Sequence, residues 1–513
     1  MKINPENSLT AELFPVCLKE LLEALHTELE SGRQTLLSAR KNQQAEYDRG
    51  AVPKFIQGHP AKSTSWQVRA IPEDLKDRRV EITGPISSAK MVINMLSENQ
   101  DGDIACTAML DFEDSMAPTW ENVLSGIQNL IGVANKNLTF SQAGKSYSLN
   151  PAKMALPMVR VRGLHLNEAH VQINGQAISA GLFDLAVSAF HSAKQFLRDG
   201  KTPKFYVPKC EHYLEARWWN EVFQKIEKTL ELAQGTLRAT FLIETLPASF
   251  QMEEILFEIR ERACGLNGGR WDKIFSDIKT LRMHADRVLA NRSSIDMTRP
   301  WMDSYAKLLI KTCHKHGAFA MGGMSAFTPG KDPETRRTQI EKVIADKRRE
   351  ASNGHDGCWV SHPFFIRPAK EQFAKKNQLS VLLEEFPAEP DLLPQSTGPK
   401  TIEGLRQNIR VGIVYQQGWD QGIGCVSFEN LMEDLATLEI SRSQVWQWLH
   451  HAVHLDDGTE VNEKLVQRLF GEELLKVVHD LEVPAAQQAS YVVAREKIEK
   501  IFLQKELAEF FAN

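Results

Sequence analysis

ATFLIETLPASFQMEEILFEIRERACGLNGGRWD, residues 239–272, reads as one full step of a repeating fold. ATFLIE (239–244) is a short run without polar alternation, the pattern of a strand covered on both faces. ASFQMEEILFEIRERA (248–263) is amphipathic and long enough for a helix. CGLNGGRW (264–271) then supplies a second, shorter strand. Strand, helix and strand within roughly 30 residues make a βαβ unit.

The same alternation extends in both directions. The further candidate strands are VEITG (80–84), AMLDFE (108–113), MVRVRG (158–163), FYVPK (205–209), AFAMGG (318–323) and GCWVSH (357–362), which brings the total to eight. Helical segments such as FDLAVSAFHSAKQFLRDG lie between most of them. Near-continuous apolar strands alternating with helices indicate a parallel sheet wrapped by helices. Eight units in this length indicate an α/β fold of the (β/α)8 barrel type. The structural alternative is an open doubly wound sheet, but no GxGxxG follows the first strand.

The flanks differ. Residues 1–75 are charged and helical, with leucines at helical spacing that stop near Gly50 and Pro53. They read as a packing appendage without chemistry. PAEPDLLPQSTGP (387–399) has four prolines and reads as a linker. Helical patterning resumes beyond it. The expected division is therefore 1–75, a barrel over 76–386, and a linker with a C-terminal all-helical domain over 387–513.

Composition narrows the function classes. Of 513 residues, 42% are hydrophobic and 25% charged, and the formal net charge is −5. This balance argues against a general nucleic-acid-binding surface. The seven cysteines are irregularly spaced and form no CxxC, against a disulfide framework or structural zinc. No apolar run is long enough to span a membrane. MKINPENSLTAELF is not a secretory leader, and ELAEFFAN is not an SKL-type address. A cytoplasmic protein is expected.

Barrel active sites sit at the C-terminal ends of the strands. ATFLIE ends on Glu244, and Asp272 follows 28 residues later, about one βαβ step. Two carboxylates on neighbouring strand tips repel unless a cation lies between them, and Mg²⁺ takes such a pair together with waters and substrate oxygens. The competing reading is two surface ion-pair partners. GLNGG (265–269) lets backbone amides approach an anion, or else forms a tight corner. MVRVRG ends on Arg162, which either clamps a carboxylate or developing oxyanion or makes an ordinary ion pair. Asp111 and Glu113 share one strand face and read as partners for Arg162, with metal ligation as the alternative.

NLMEDLATLEIS (430–441) reads as a helix capped by Asn430, with Glu433 at the third position as a capping-box partner. Asp434 then has no structural role. It is read as a general base facing a domain interface or as an interdomain ion pair.

These motifs resemble a known family. LDFEDSMAPTW (110–120), VRGLHL (161–166), FLIETLPASFQMEEI (241–255), GLNGGRWDKIFS (265–276), AMGGMSAFTP (320–329), NGHDGCWVSHP (353–363) and NLMEDLATLEISRSQVWQW (430–448) are similar, in order and over nearly the full length, to malate synthase of the shorter A type. The resemblance implies a (β/α)8 barrel with an N-terminal helical clasp and a C-terminal helical plug. It implies an Mg²⁺-dependent Claisen condensation of acetyl-CoA with glyoxylate, followed by thioester hydrolysis to malate and CoA. It assigns the metal to Glu244 and Asp272, the base to Asp434, and enolate stabilisation to Arg162. Glyoxylate binding falls to the backbone around Gly269, Arg270 and Trp271, and a CoA contact to Pro363 at the cleft between barrel and plug. Small-molecule substrates are expected, without nucleic acid, membrane or obligate protein partner. Val161, Arg262, Lys273, Gln417 and Gln421 depart from the family pattern, and none is at a metal ligand or the base. The alternatives are a malyl-CoA or citramalyl-CoA lyase-like enzyme and a catalytically retired acyl-CoA-binding relative.

Overall fold

The computed structural model describes residues 1–511. The chain opens with a strand, Lys2–Ile3, laid antiparallel on Asn167–Ile173, and then a 33-residue helix, α1 (Val16–Asp48). Leu18, Leu21, Leu22, Leu25 and Leu29 of α1 are buried at helical spacing, as expected of a packed appendage. The arginines on the same helix do more than pack. Arg33 donates to the Leu164 carbonyl at 2.6 Å, and Arg40 donates to the Lys209 carbonyl at 2.8 Å. Both acceptors lie in loops at the mouth of the barrel.

All eight expected strands form. They are β1 (Val80–Pro85), β2 (Thr107–Asp111), β3 (Leu156–Arg160), β4 (Lys204–Val207), β5 (Arg238–Leu242), β6 (Ala263–Asn267), β7 (Phe319–Ser325) and β8 (Gly357–Val360). Each pairs in parallel with its neighbour in chain order, and β8 closes on β1 through Cys358↔Val80 and Val360↔Ile82. The open sheet is thereby excluded. Several strands are shorter than the sequence pattern suggests, and β3 ends at Arg160, so Arg162 lies beyond it.

Alternate residues face the barrel axis. Met109, Met158, Tyr206, Leu242, Cys264 and Trp359 form an inner core separate from the outer strand–helix core. A buried polar knot fixes its lower layer. Arg78 binds Glu81 at 2.8 Å, Tyr206 at 2.7 Å and Thr240 at 3.0 Å. Above it the inward parity continues to Asp111 and Arg160 at the strand tips. After β6 the chain turns at Gly268–Gly269 into α2 (Arg270–Thr280).

Residues 387–399 contain neither helix nor strand. Beyond them lies the helical region: α3 (Ile402–Trp419), α4 (Leu435–His450), α5 (Glu463–Asp480) and α6 (Ala485–Phe502). Ile409, Ile413, Leu438, Trp448, Phe470, Ile498 and Phe502 form its own core.

One local expectation is overturned. Residues 430–433 are not the first turn of a helix. β9 (Val426–Phe428) and β10 (Leu431–Glu433) pair antiparallel as Phe428↔Leu431 and Val426↔Glu433. Glu429 (φ 48°) and Asn430 (φ 61°) form the two-residue turn between them. Two successive positive φ values give the twist a tight hairpin needs, and Asn tolerates that region better than most residues. Asn430 is therefore a turn residue, and Glu433 is not a capping-box partner. Glu433 instead pairs with Arg292 at 2.5 Å. The helix starts four residues later, capped by Asp434 itself.

The plug is seated on the barrel. Met432 N–H donates to Ala326 O at 2.7 Å, Thr328 N–H to Asn430 O at 2.9 Å, and Leu435 N–H to Asp114 O at 3.2 Å. At Gly424 a Cβ would lie 2.2 Å from the Ala117 nitrogen, so only glycine permits this approach. The tail adds a wedge: Phe510 stacks on His165 of the β3 loop at 3.8 Å between ring centroids.

Candidate active site

The mouth of the barrel and the foot of α4 enclose one cavity. Asp114, Arg160, Glu244, Gly269, Arg270, Trp271, Asp272 and Asp434 all line it, along with Thr83, Asn267, Met324 and Trp359. The two carboxylates read from the β5–β6 unit are thus brought together. Glu244 lies two residues past β5. Asp272 sits in the first turn of α2. Gly269 caps that helix, and a Cβ there would stand 2.9 Å from both Cβ and Oε2 of Glu244.

The arginine is not the one expected. Arg162 is absent from this cavity. It is buried against Asp184 (Nε–Oδ2 2.9 Å, Nη2–Oδ1 2.7 Å) and Glu168 (Nη1–Oε2 2.8 Å), and its own backbone N–H also donates to Asp184. Arg160, the last residue of β3, points inward instead. Its guanidinium forks onto Asp111 at 2.7 and 2.6 Å and reaches Asp114 Oδ2 at 3.2 Å. Glu113 Oε2 is 3.6 Å away. Asp111 and Glu113 are thus partners of Arg160, not of Arg162. Parity holds only while the strand lasts; past Arg160 the chain turns outward toward the helix that carries Asp184.

Asp434 enters from the plug and carries a structural role that its sequence context does not announce. It caps α4: Oδ1 accepts from the Thr437 N–H at 3.3 Å, and the Thr437 hydroxyl lies 2.9 Å from the Asp434 N–H. The remaining carboxylate surface faces the barrel. Burial, then repulsion from Asp114 and Asp272, pushes its proton affinity well above the usual carboxylate range, and Arg160 opposes the shift. Glu244 is raised for the same reasons, burial first and then Asp272. Asp111 goes the other way. Burial raises it, but its fork with Arg160 prevails and holds it ionised.

Lys209 was not singled out from sequence. It follows β4, and the strand-tip reasoning that selects Glu244 selects it equally. Its ammonium lies 2.8 and 2.9 Å from the two Asp114 oxygens, 3.0 Å from Asp272 Oδ1 and 3.3 Å from Glu113 Oε1. Its backbone N–H donates to Glu244 Oε1 at 2.9 Å.

Pro363 lies by a separate cavity, lined also by Met91, Asn94, Tyr147, His362 and Phe364. No described plug residue lines it, so this cavity does not lie between barrel and plug. Thr83 lines both this cavity and the one at the barrel mouth.

A parallel barrel with an acidic rim, an inward arginine and a carboxylate delivered by a separate helical region defines a barrel enzyme built for acid–base chemistry on a small, charged substrate. Models of three malate synthase domains match this chain: the N-terminal domain over 20–58, the TIM barrel domain over 156–392 and the C-terminal domain over 399–513. Malate synthase A of Escherichia coli is 46% identical over 500 residues, covering 96% of this chain and 92% of that protein. Malate synthases of Myxococcus xanthus (47% identical, 86% of this chain, 82% of that protein) and Candida tropicalis (44%, 88% and 84%) are similar too. The chain belongs to the malate synthase family, and its activity is that of a malate synthase.

Proposed function

We propose that the cavity at the barrel mouth condenses acetyl-CoA with glyoxylate and hydrolyses the resulting thioester, giving malate and CoA. The observation that carries this reading is that Asp434, from the plug, lines the same cavity as Glu244, Asp272 and Arg160.

Asp434 takes a proton from the methyl group of acetyl-CoA. Its raised proton affinity suits it to so weak a carbon acid, and its place as a helix cap fixes its direction. Arg160 meets the negative charge that grows on the thioester oxygen as the proton leaves. Forked onto Asp111, it is held in place before the reaction starts. The enolate carbon then attacks the aldehyde carbon of glyoxylate. Amide groups at Gly269, Arg270 and Trp271 open α2, where the helix dipole draws the glyoxylate carboxylate. Water finally attacks the thioester carbonyl, and CoA leaves as its thiol.

The residues present suit Mg²⁺. Among the described residues no three or more His, Cys, Asp and Glu side chains are arranged to hold a metal by themselves. Mg²⁺ does not need that, because it binds through one or two carboxylates and keeps waters and substrate oxygens. Buried Asn267 Oδ1 accepts no hydrogen bond, Asp272 Oδ1 is met by the Lys209 ammonium at 3.0 Å, and both side chains line the cavity. Glu244 and Asp272 would hold the ion, which when bound polarises the glyoxylate aldehyde. Gly269→Ala tests this directly. Its backbone (φ −85°, ψ 119°) suits alanine, but the new Cβ must push Glu244 aside. Mg²⁺ affinity is expected to fall at least about tenfold with the fold intact, read by calorimetric titration.

The cavity at Pro363 shares Thr83 with the site and is the proposed approach for CoA. No described helix is long and apolar enough to cross a membrane. A cytoplasmic enzyme acting on small molecules alone remains our reading. The test of function is thiol release from acetyl-CoA. It is expected only with glyoxylate present and should stop with EDTA. Release that ignores glyoxylate, or that persists without divalent ions, overturns the proposal.

A further inference from the structure

Lys209 is one residue that holds both proposed metal ligands. Its backbone N–H donates to Glu244 Oε1 at 2.9 Å, while its side-chain ammonium stands 3.0 Å from Asp272 Oδ1. Glu244 comes from the end of β5 and Asp272 from the start of α2, so nothing local to either sets the distance between them. Lys209 is 4% exposed, and four carboxylates surround it: Asp114, Asp272, Glu113 and Glu244. Arg160 is a second buried cation against this group, and its fork is already used by Asp111.

The backbone at Lys209 is held on purpose-built contacts. Its φ is +52°, a left-handed conformation that a long side chain adopts only when its surroundings require it. Arg40 of α1 donates to its carbonyl at 2.8 Å, and Glu215 fixes Arg40 in turn through oxygens at 2.6 and 2.7 Å. That turn aims the N–H at Glu244 and the side chain across to Asp272. The N-terminal clasp thus reaches the acidic rim through Arg40. Asp114, the other anchor of the ammonium, accepts the α4 N–H of Leu435 on its carbonyl, which ties the same point to the plug.

We propose that Lys209 is a positioning residue: a built-in monovalent cation that spaces Glu244 and Asp272 for a divalent ion and keeps the affinity for that ion moderate. This rests on the reading of Glu244 and Asp272 as Mg²⁺ ligands. Two effects oppose each other when the charge is removed. Asp272 loses its ammonium contact while the backbone N–H still holds Glu244, and a divalent ion loses a positive neighbour across a buried, low-dielectric gap. The Coulomb repulsion between a unit charge and a dipositive ion at this range is the larger effect, so the ion binds more tightly without the lysine. The metal-free protein loses its charge balance and becomes less stable.

The experiment compares wild type, Lys209→Met and Lys209→Gln, purified with Mg²⁺ and then stripped with EDTA. Mg²⁺ is titrated by calorimetry, and thermal unfolding is followed with and without the ion. Both variants are expected to unfold earlier than wild type when stripped. Both should bind Mg²⁺ at least about tenfold more tightly, with a larger Mg²⁺-dependent rise in Tm, since tighter binding to the native state alone raises it. A variant that folds only with Mg²⁺ present supports the proposal. Unchanged or weaker Mg²⁺ binding, or a loss of stability that Mg²⁺ does not relieve, overturns it and leaves Lys209 a packing residue. Glu244→Gln separates the two layers. If wild type binds no Mg²⁺, or Glu244→Gln binds it as well as wild type, the metal assignment itself falls and takes this proposal with it.

Discussion

Asp434→Asn is expected to remove nearly all turnover while leaving the protein as stable as before. Asparagine is as good a helix cap as aspartate, so its side-chain oxygen still accepts from the Thr437 N–H and α4 keeps its start. What it cannot do is take a proton from carbon. A loss in kcat of about 10²–10⁴ is the usual scale for a general base. Denaturant unfolding should move by no more than about 0.5 kcal/mol, as for a substitution that breaks no buried contact. Asp434→Ala provides the contrast. It loses the base and the cap together, so it should cost about 1 kcal/mol of stability in addition. Steady-state thiol release and urea melts on the three proteins separate chemistry from folding. An active Asp434→Asn would mean that the base lies elsewhere.

The second large effect separates two arginines that stand two residues apart. Arg160→Lys should fold, because an ammonium still faces Asp111 and Asp114. It cannot reproduce the planar fork that holds the guanidinium at 2.7 and 2.6 Å from Asp111. With the charge misplaced at the growing oxyanion, kcat should fall about 10²–10³-fold. Arg162→Met should behave in the opposite way. It leaves Asp184 and Glu168 buried without their cation, and breaking a buried pair from one side costs about 3–5 kcal/mol. Protein that survives should retain much of its specific activity. A stable but inactive Arg162→Met beside an active Arg160→Lys would reverse the assignment.

The barrel was legible from the chain because its signal is local and repeats. Each apolar run of four to seven residues and the amphipathic segment after it carry their own evidence, and eight of them close on only one simple architecture. Glu244 and Asp272 were legible for the same reason, as acids placed one unit apart at strand tips. Lys209 was equally within reach by that reasoning, but a lone lysine at a strand end gives no sign of what it faces.

Errors arose where local pattern stops ruling the chain. Arg160 and Arg162 have the same parity, and the sequence alone points to the later one as the strand tip. The strand ends first, and beyond it the side chain follows the loop to Asp184. NLMED carries a good capping residue at Asn430 and a good partner at Glu433. Tertiary contacts override that preference: β10 lies against Ala326, and Glu433 is drawn to Arg292. The cap moved to Asp434, so the residue that seemed free of structural duty has one. The N-terminal helix, read as inert packing, reaches through Arg40 to the carbonyl of Lys209.

The order of strands and helices, the fold class and the chemical type of each strand tip follow from the sequence alone, since periodicity and local propensity act over a few residues. Tertiary structure alone decided which arginine faces the cavity, what caps α4, and that a lysine just past β4 spans acids just past β5 and in α2. Those outcomes depend on where loops and separate regions come to rest against each other, and contacts between residues tens to hundreds of positions apart leave no period to read.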